Sequence, residues 1–217
     1  MAARDAALPL KLHTPPQWAN HVLTQPLELL NDHAHLEKKA ATNALELLNR
    51  WPKERPPESW VEAMTAVARD EVEHLAVVCR ILARRGGKLT KGHANPYATD
   101  LRKLVRVGDG NRELVDRLLI SGLIEARSCE RFKLLAAACM DKDNLAADAE
   151  LGKLYRGLWA SEHGHYLTFV GLAEQVADPI EVKTRWEWML TSESILMRKQ
   201  AQGIRMHSGA AGGAAKW

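Results

Sequence analysis

The chain has 217 residues, room for one domain, since single hydrophobic cores commonly stop growing near ~250 residues. With 46% hydrophobic and 26% charged residues, composition excludes wholesale disorder, and no apolar run approaches the ~18 residues of a membrane span. The net charge of +3 is uneven: the window Arg80–Arg117 carries +6 and the remainder −3.

Met1 to Ala7 lacks the apolar core of a secretory signal, so the chain reads as soluble and cytoplasmic. Three cysteines, Cys79, Cys129 and Cys139, form no CxxC pair. That argues against a disulfide framework and against a zinc-ribbon or rubredoxin-type site.

Proline and glycine punctuate a helical chain. Thr14-Pro15-Pro16 caps a short helix to about Val22, and Gln25-Pro26 opens a longer one to Arg50. In the latter Leu29, Leu30, Leu36, Ala40, Ala44, Leu47 and Leu48 recur at helical spacing. Pro56-Pro57-Glu58-Ser59 starts a second long helix that ends at Arg85, with Gly86-Gly87 as its C-cap. Lys88 to Gly110 reads as a crossover with one short helix near Asp100 to Val107. A third long helix runs from Asn111 to about Met140 and a fourth from Asp143-Asn144 through Val176. A fifth spans Ile180 to about Ala201. Residues 1–202 are expected to form the domain and 203–217 a flexible Gly/Ala-rich tail.

Short links pair the first long helix with the second and the third with the fourth, while a long crossover joins the pairs. Two antiparallel hairpins so connected give the predicted fold: an all-α, ferritin-like four-helix bundle with extra short N-terminal and C-terminal helices.

The two halves repeat one chemical pattern. Glu37 and Glu125 occupy comparable places on the first helix of each hairpin, and Glu71-x-x-His74 and Glu162-x-x-His165 on the second. The separations are 34 residues (37 to 71) and 37 residues (125 to 162). Residues three apart share a helix face, so each Glu and its His can reach one ion inside the bundle. Four carboxylates and two imidazoles then surround a metal pair, and two divalent ions would balance the four negative charges. Composition alone yields about 0.7 Glu-x-x-His matches by chance, so the weight lies in their placement. Glu73 and His163 fall off the ligand face, and Glu28, Glu46 and Glu130 break the internal match. His33, one turn before Glu37, reads as either site-facing or a half-buried histidine. Asp70 is the expected acceptor orienting a ligand imidazole, with Ser161 in the corresponding place on the fourth helix. Cys129, one turn after Glu125, is expected to pack against the site rather than ligate.

Four segments, Leu30-Asn-Asp-His-Ala-His-Leu-Glu-Lys-Lys-Ala-Ala41, Asp70-Glu-Val-Glu-His74, Gly122-Leu-Ile-Glu-Ala-Arg-Ser-Cys-Glu-Arg-Phe132 and Ser161-Glu-His-Gly-His-Tyr166, resemble the tRNA 2-methylthio-isopentenyl-adenosine hydroxylase (MiaE-like) family. The similarity runs from about Leu27 to Ala201. It implies a non-haem di-iron monooxygenase in which Glu37, Glu71, His74, Glu125, Glu162 and His165 hold two iron ions. It also implies O2 as co-substrate, tRNA as substrate, a reductase or ferredoxin as electron donor, and a chain that works as a monomer. On that reading Arg84, Arg85, Lys88, Lys91, Arg102, Lys103 and Arg106 are candidate phosphate contacts; a solvated charged face is the alternative. The rival functions are a ferroxidase or iron-handling protein with the same six ligands, a radical-generating reductase subunit, and a metal-free RNA-binding bundle. The reductase family resemblance asks for a Tyr where this chain has Val78.

Overall fold

The computed structural model describes residues 7–210. Among them are seven helices: α1 (Gln17–Val22), α2 (Pro26–Leu48), α3 (Glu58–Arg84), α4 (Pro96–Arg102), α5 (Gly110–Met140), α6 (Ala149–Val176) and α7 (Pro179–Lys199). Among the described residues the only extended pairing is one bridge between Gln202 and Gly209. No helix among the described residues is long and apolar enough to cross a membrane.

Local chemistry sets the boundaries. Pro26, Pro96 and Pro179 occupy first-turn positions, where a missing N–H costs nothing. Asn95, Asp148 and Asp178 accept hydrogen bonds from the first free amides of α4, α6 and α7. At the end of α3, Gly86 takes φ of +83°, and the Gly86 and Gly87 amides donate to Ala83 and Leu82. Two boundaries differ from expectation. The fourth long helix starts at Ala149 because Asp148, not Asp143, caps it; the crossover helix starts at Pro96, earlier than Asp100.

Helices α2 and α3 form one antiparallel hairpin, α5 and α6 the other, and residues 85–109, carrying α4, cross between them. This is the ferritin-like bundle. Two apolar clusters fill it. One uses Ala44, Leu47, Trp60, Val67, Leu118 and Phe169; the other uses Leu30, Val78, Phe132, Leu135, Tyr155 and Leu158. On each of the four long helices, the positions between these layers are those of the Glu and His pattern.

The domain does not stop at residue 202. Ile204, Met206, His207 and Ser208 are buried, the Trp18 indole donates to Ser208 Oγ, and Arg131 donates to the Ser208 carbonyl while lying over the Trp18 ring. A Cβ at Gly209 would fall 1.9 Å from the Gln200 carbonyl oxygen, so glycine alone fits that crossing. Residues 203–210 are therefore packed, contrary to the expected tail; 211–217 lie outside the described residues.

The crossover is fastened by Asp116, whose carboxylate is shielded from solvent and accepts from Arg106 and Arg185 at 2.8–2.9 Å and from the Arg106 amide at 2.9 Å. Burial works to raise its pKa, but the two arginines bring it below the ordinary carboxylate range. Asp116→Asn is expected to cost about 2–3 kcal/mol at pH 7, the scale of hydrogen bonds to a charged group. A depressed carboxylate pKa contributes stability above its unfolded value, near 3.8, and loses it as pH falls through the folded value. Urea unfolding at pH 7 and in the acid range should therefore show the gap between native and variant protein narrowing as pH drops.

Candidate metal centre

Each member of the pattern reaches the bundle axis from a different helix: Glu37 from α2, Glu71 and His74 from α3, Glu125 from α5, Glu162 and His165 from α6. All four carboxylates are buried, from 0% exposure at Glu71 to 5% at Glu125. Ligand atoms of Glu37, Glu71, His74 and Glu162 all lie within 4.8 Å of one another. His74 Nδ1 is 3.2 Å from Glu162, 3.5 Å from Glu71 and 4.0 Å from Glu37. His165 Nδ1 is 2.8 Å from Glu71 and 3.4 Å from Glu162. Glu71 and Glu162 thus lie against both imidazoles, with Glu37 beside His74 and Glu125 against Glu162.

These contacts leave lone pairs unused. Both oxygens of Glu71, both oxygens of Glu162, and Nδ1 of each of His74 and His165 are buried without a hydrogen bond. Six convergent unsatisfied donor atoms of carboxylate and imidazole type would be costly in a purely structural core. They fit a pair of first-row divalent ions, for which this oxygen and nitrogen set is suited.

The electrostatics express the same crowding. Burial, then the charges of Glu71 and Glu162, push Glu37 well above the ordinary carboxylate range. Burial and those same charges do so for Glu125. Glu71 is driven up by burial but held at about 2 by the two imidazoles. Burial lowers both histidines, yet Glu162 and Glu71 outweigh it and raise His74 to about 9 and His165 to about 11. Four carboxyls share too little positive charge to ionise together, so this site gains from added cations.

Around the six, His165 Nε2 bonds Asp70 Oδ2 at 3.3 Å. With that nitrogen donating, Nδ1 presents its lone pair to the centre. No such acceptor is found on His74 Nε2 among the described contacts, in keeping with Ser161 at the corresponding place. His33 does face the site: its Nε2 is 2.5 Å from Glu37 Oε1, and its ring packs on Phe132 and Tyr155. Burial lowers its pKa to about 4. Its four-residue spacing from Glu37 was the signal in the sequence; the aromatic packing that fixes the ring left none. Cys129 is buried near Glu125 and Glu162, its thiol against the Trp159 carbonyl. Glu73, Glu28 and Glu46 are exposed, while Glu130 bonds Arg127 and Thr14 instead.

The basic candidates separate into two groups. Arg84 and Arg85 pair with Glu150, Arg85 also with Asp148, and Arg106 is held by Asp116. These three are paired with acids of the fold. Lys103 pairs with Asp100 from an exposed position. Lys88, Lys91 and Arg102 are exposed, with no ion pair among the described residues.

Comparison with known proteins agrees with this geometry. The chain is 36% identical over 196 residues to the tRNA 2-(methylsulfanyl)-N(6)-isopentenyladenosine(37) hydroxylase of Pseudomonas putida, covering 90% of each chain. It is 32% identical over 150 residues to the Salmonella typhimurium protein of the same name, covering 69% of this chain and 52% of that one. Among solved structures, protein 43 with aldehyde deformylating oxygenase activity from Synechococcus superposes with a TM-score of 0.81 at 32% identity, covering 93% of this chain and 96% of that one. Residues 4–208 match the profile of the tRNA-(MS[2]IO[6]A)-hydroxylase (MiaE) family, and the chain belongs to that family.

Proposed function

We propose that the chain is an O2-dependent, non-haem di-iron monooxygenase that hydroxylates the isopentenyl group of 2-methylthio-isopentenyl-adenosine in tRNA. The observation that carries the metal reading is the set of six buried, unsatisfied donor atoms on Glu71, His74, Glu162 and His165. Family membership and the homologues' names support the substrate. Glu37, Glu71, His74, Glu125, Glu162 and His165 would hold the irons, with Glu71 and Glu162 each lying against both imidazoles. When bound, the iron pair would supply O2 activation for a monooxygenation, in which two external electrons and two protons accompany O2, one oxygen atom enters a C–H bond and the other becomes water.

The chain's own residues prepare that chemistry. Asp70 fixes the His165 tautomer, and His33 holds Glu37 in one orientation. Val78, Cys129 and Phe132 form an apolar layer on one side of the centre and exclude bulk water from it. The electrons come from a separate reductase or ferredoxin, and the working protein is a cytoplasmic monomer.

Mass spectrometry of tRNA nucleosides from cells with and without the protein tests the assignment. The expected result is one added oxygen on the prenylated adenosine, present only with the protein. Identical nucleoside profiles would remove the tRNA assignment.

A further inference from the structure

One cavity of the bundle opens onto the site. It lies between α2, α4 and α5, holds about 80 Å³, and has Glu125 in its wall. That is room for several waters or a short branched hydrocarbon. Leu36 and Ala40 on α2 face Ile120 and Ile124 on α5, each pair one helical turn apart, so two apolar stripes line the slot. Its wall also carries cationic side chains, of which Lys39 lies 2.8 Å from His93 Nδ1. Lys39 and Arg102 also line an adjoining surface groove of about 510 Å³ beside α4, which has Asp100 in its wall as well. Slot and groove share these residues in their walls.

Two other cavities lack this combination. The one bounded by Tyr155 and Trp159, on the face formed by α5 and α6, has none of the six site residues in its wall. The one beside Asn20 is rimmed by Asp141 and Asp143, the wrong charge for a polyanion.

We propose that the cleft between α2, α4 and α5 admits the prenyl arm of the modified adenosine. Leu36, Ala40, Ile120 and Ile124 grip the arm, and Lys39 and Arg102 bind phosphates beside that nucleotide. This assignment rests on the tRNA hydroxylase reading. It gives the long crossover a purpose: α4 roofs the slot, and its last residue, Arg102, places one unpaired cation in its wall. A base with an apolar arm must leave its stack to reach a buried centre, and here apolar stripes and cationic side chains line one cleft.

The test measures binding rather than turnover. Iron-loaded protein under anaerobic conditions is titrated with two anticodon stem-loop RNAs, one carrying isopentenyladenosine and one plain adenosine, by fluorescence anisotropy at fixed salt. The native protein is expected to prefer the prenylated RNA by about tenfold or more, the return on burying two or more methyl-sized groups. Ala40→Phe fills the slot and should bring the preference to near one, with binding of plain RNA retained. Should the larger ring disturb folding, Ile124→Ala, at a half-buried position, should still cut the preference by roughly threefold, the loss of methyl-sized apolar contacts. Arg102→Ala should weaken both RNAs alike and lower the salt slope by about one. A native preference that survives both slot variants overturns the cleft assignment and leaves the hydroxylase reading in place. A native protein indifferent to the prenyl group overturns both.

Discussion

Replacing His74 with alanine is expected to remove at least one iron per chain and to abolish the hydroxylated nucleoside, while the chain stays helical. Among the described residues, His74 anchors no other part of the fold by a hydrogen bond: its Nδ1 lies among three carboxylates without a hydrogen bond to any. Removing it withdraws one of only two nitrogen donors from a set otherwise made of carboxylates. Helix α3 tolerates the change because alanine is the best helix former and the apolar layers on either side are untouched. A graded companion is Asp70→Asn, which weakens the acceptor holding His165 and is expected to cost about 10–100-fold in metal affinity or activity. Glu73→Ala is the control, since Glu73 is exposed two residues from Glu71 on the same helix. Iron analysis, circular dichroism and nucleoside mass spectrometry on the three variants read the series. A His74→Ala protein with full iron and turnover refutes the ligand assignment.

What the sequence disclosed, and what it withheld, follows from the range of each interaction. Glu71 with His74, and Glu162 with His165, were legible because three-residue spacing on a helix fixes a shared face whatever the tertiary structure. Their recurrence after Glu37 and Glu125 made the two hairpins readable as one pattern. The fate of the arginines was not legible. Arg85 finds Asp148 and Glu150, and Arg185 finds Asp116, across 63 to 69 residues of sequence. No local rule separates such a pair from a solvated charge, so only Lys88, Lys91 and Arg102 remain as unpaired candidates on the crossover. The packed C-terminal segment was hidden for a different reason. Ile204 and Met206 have no helical period around them, and their burial depends on Trp18 and Arg131, far away in the chain. The slot beneath α4 was equally hidden, being made by three helices whose relative placement no single stripe records.

A second large effect is expected far from the metal centre. Arg127 and Glu193 are both fully buried and joined by three hydrogen bonds of 2.8–3.0 Å. Tyr97 on α4 donates to the same Glu193 oxygen at 3.0 Å, and Arg127 also donates to the Leu12 carbonyl and to Glu130. Thr14 completes the group through its amide and hydroxyl, both donating to Glu130. One guanidinium thereby ties α5 to α7, to the crossover helix and to the segment before α1. Glu193→Ala leaves a buried arginine short of its bidentate partner and a buried phenol without an acceptor, expected to cost about 3–5 kcal/mol. Against a typical total of about 5–15 kcal/mol this is a large share, visible as a lower urea midpoint with a similar slope. Arg127→Met combined with Glu193→Leu removes both charges and fills much of the volume, so it should lose less than the two single losses added together. Because Tyr97 sits on α4, loosening this cluster should also loosen the roof of the slot, and the preference for prenylated RNA should fall in Glu193→Ala under conditions where the protein remains folded. A single variant within about 0.5 kcal/mol of native stability, the spread typical of neutral surface changes, would show that the cluster does not hold these elements together.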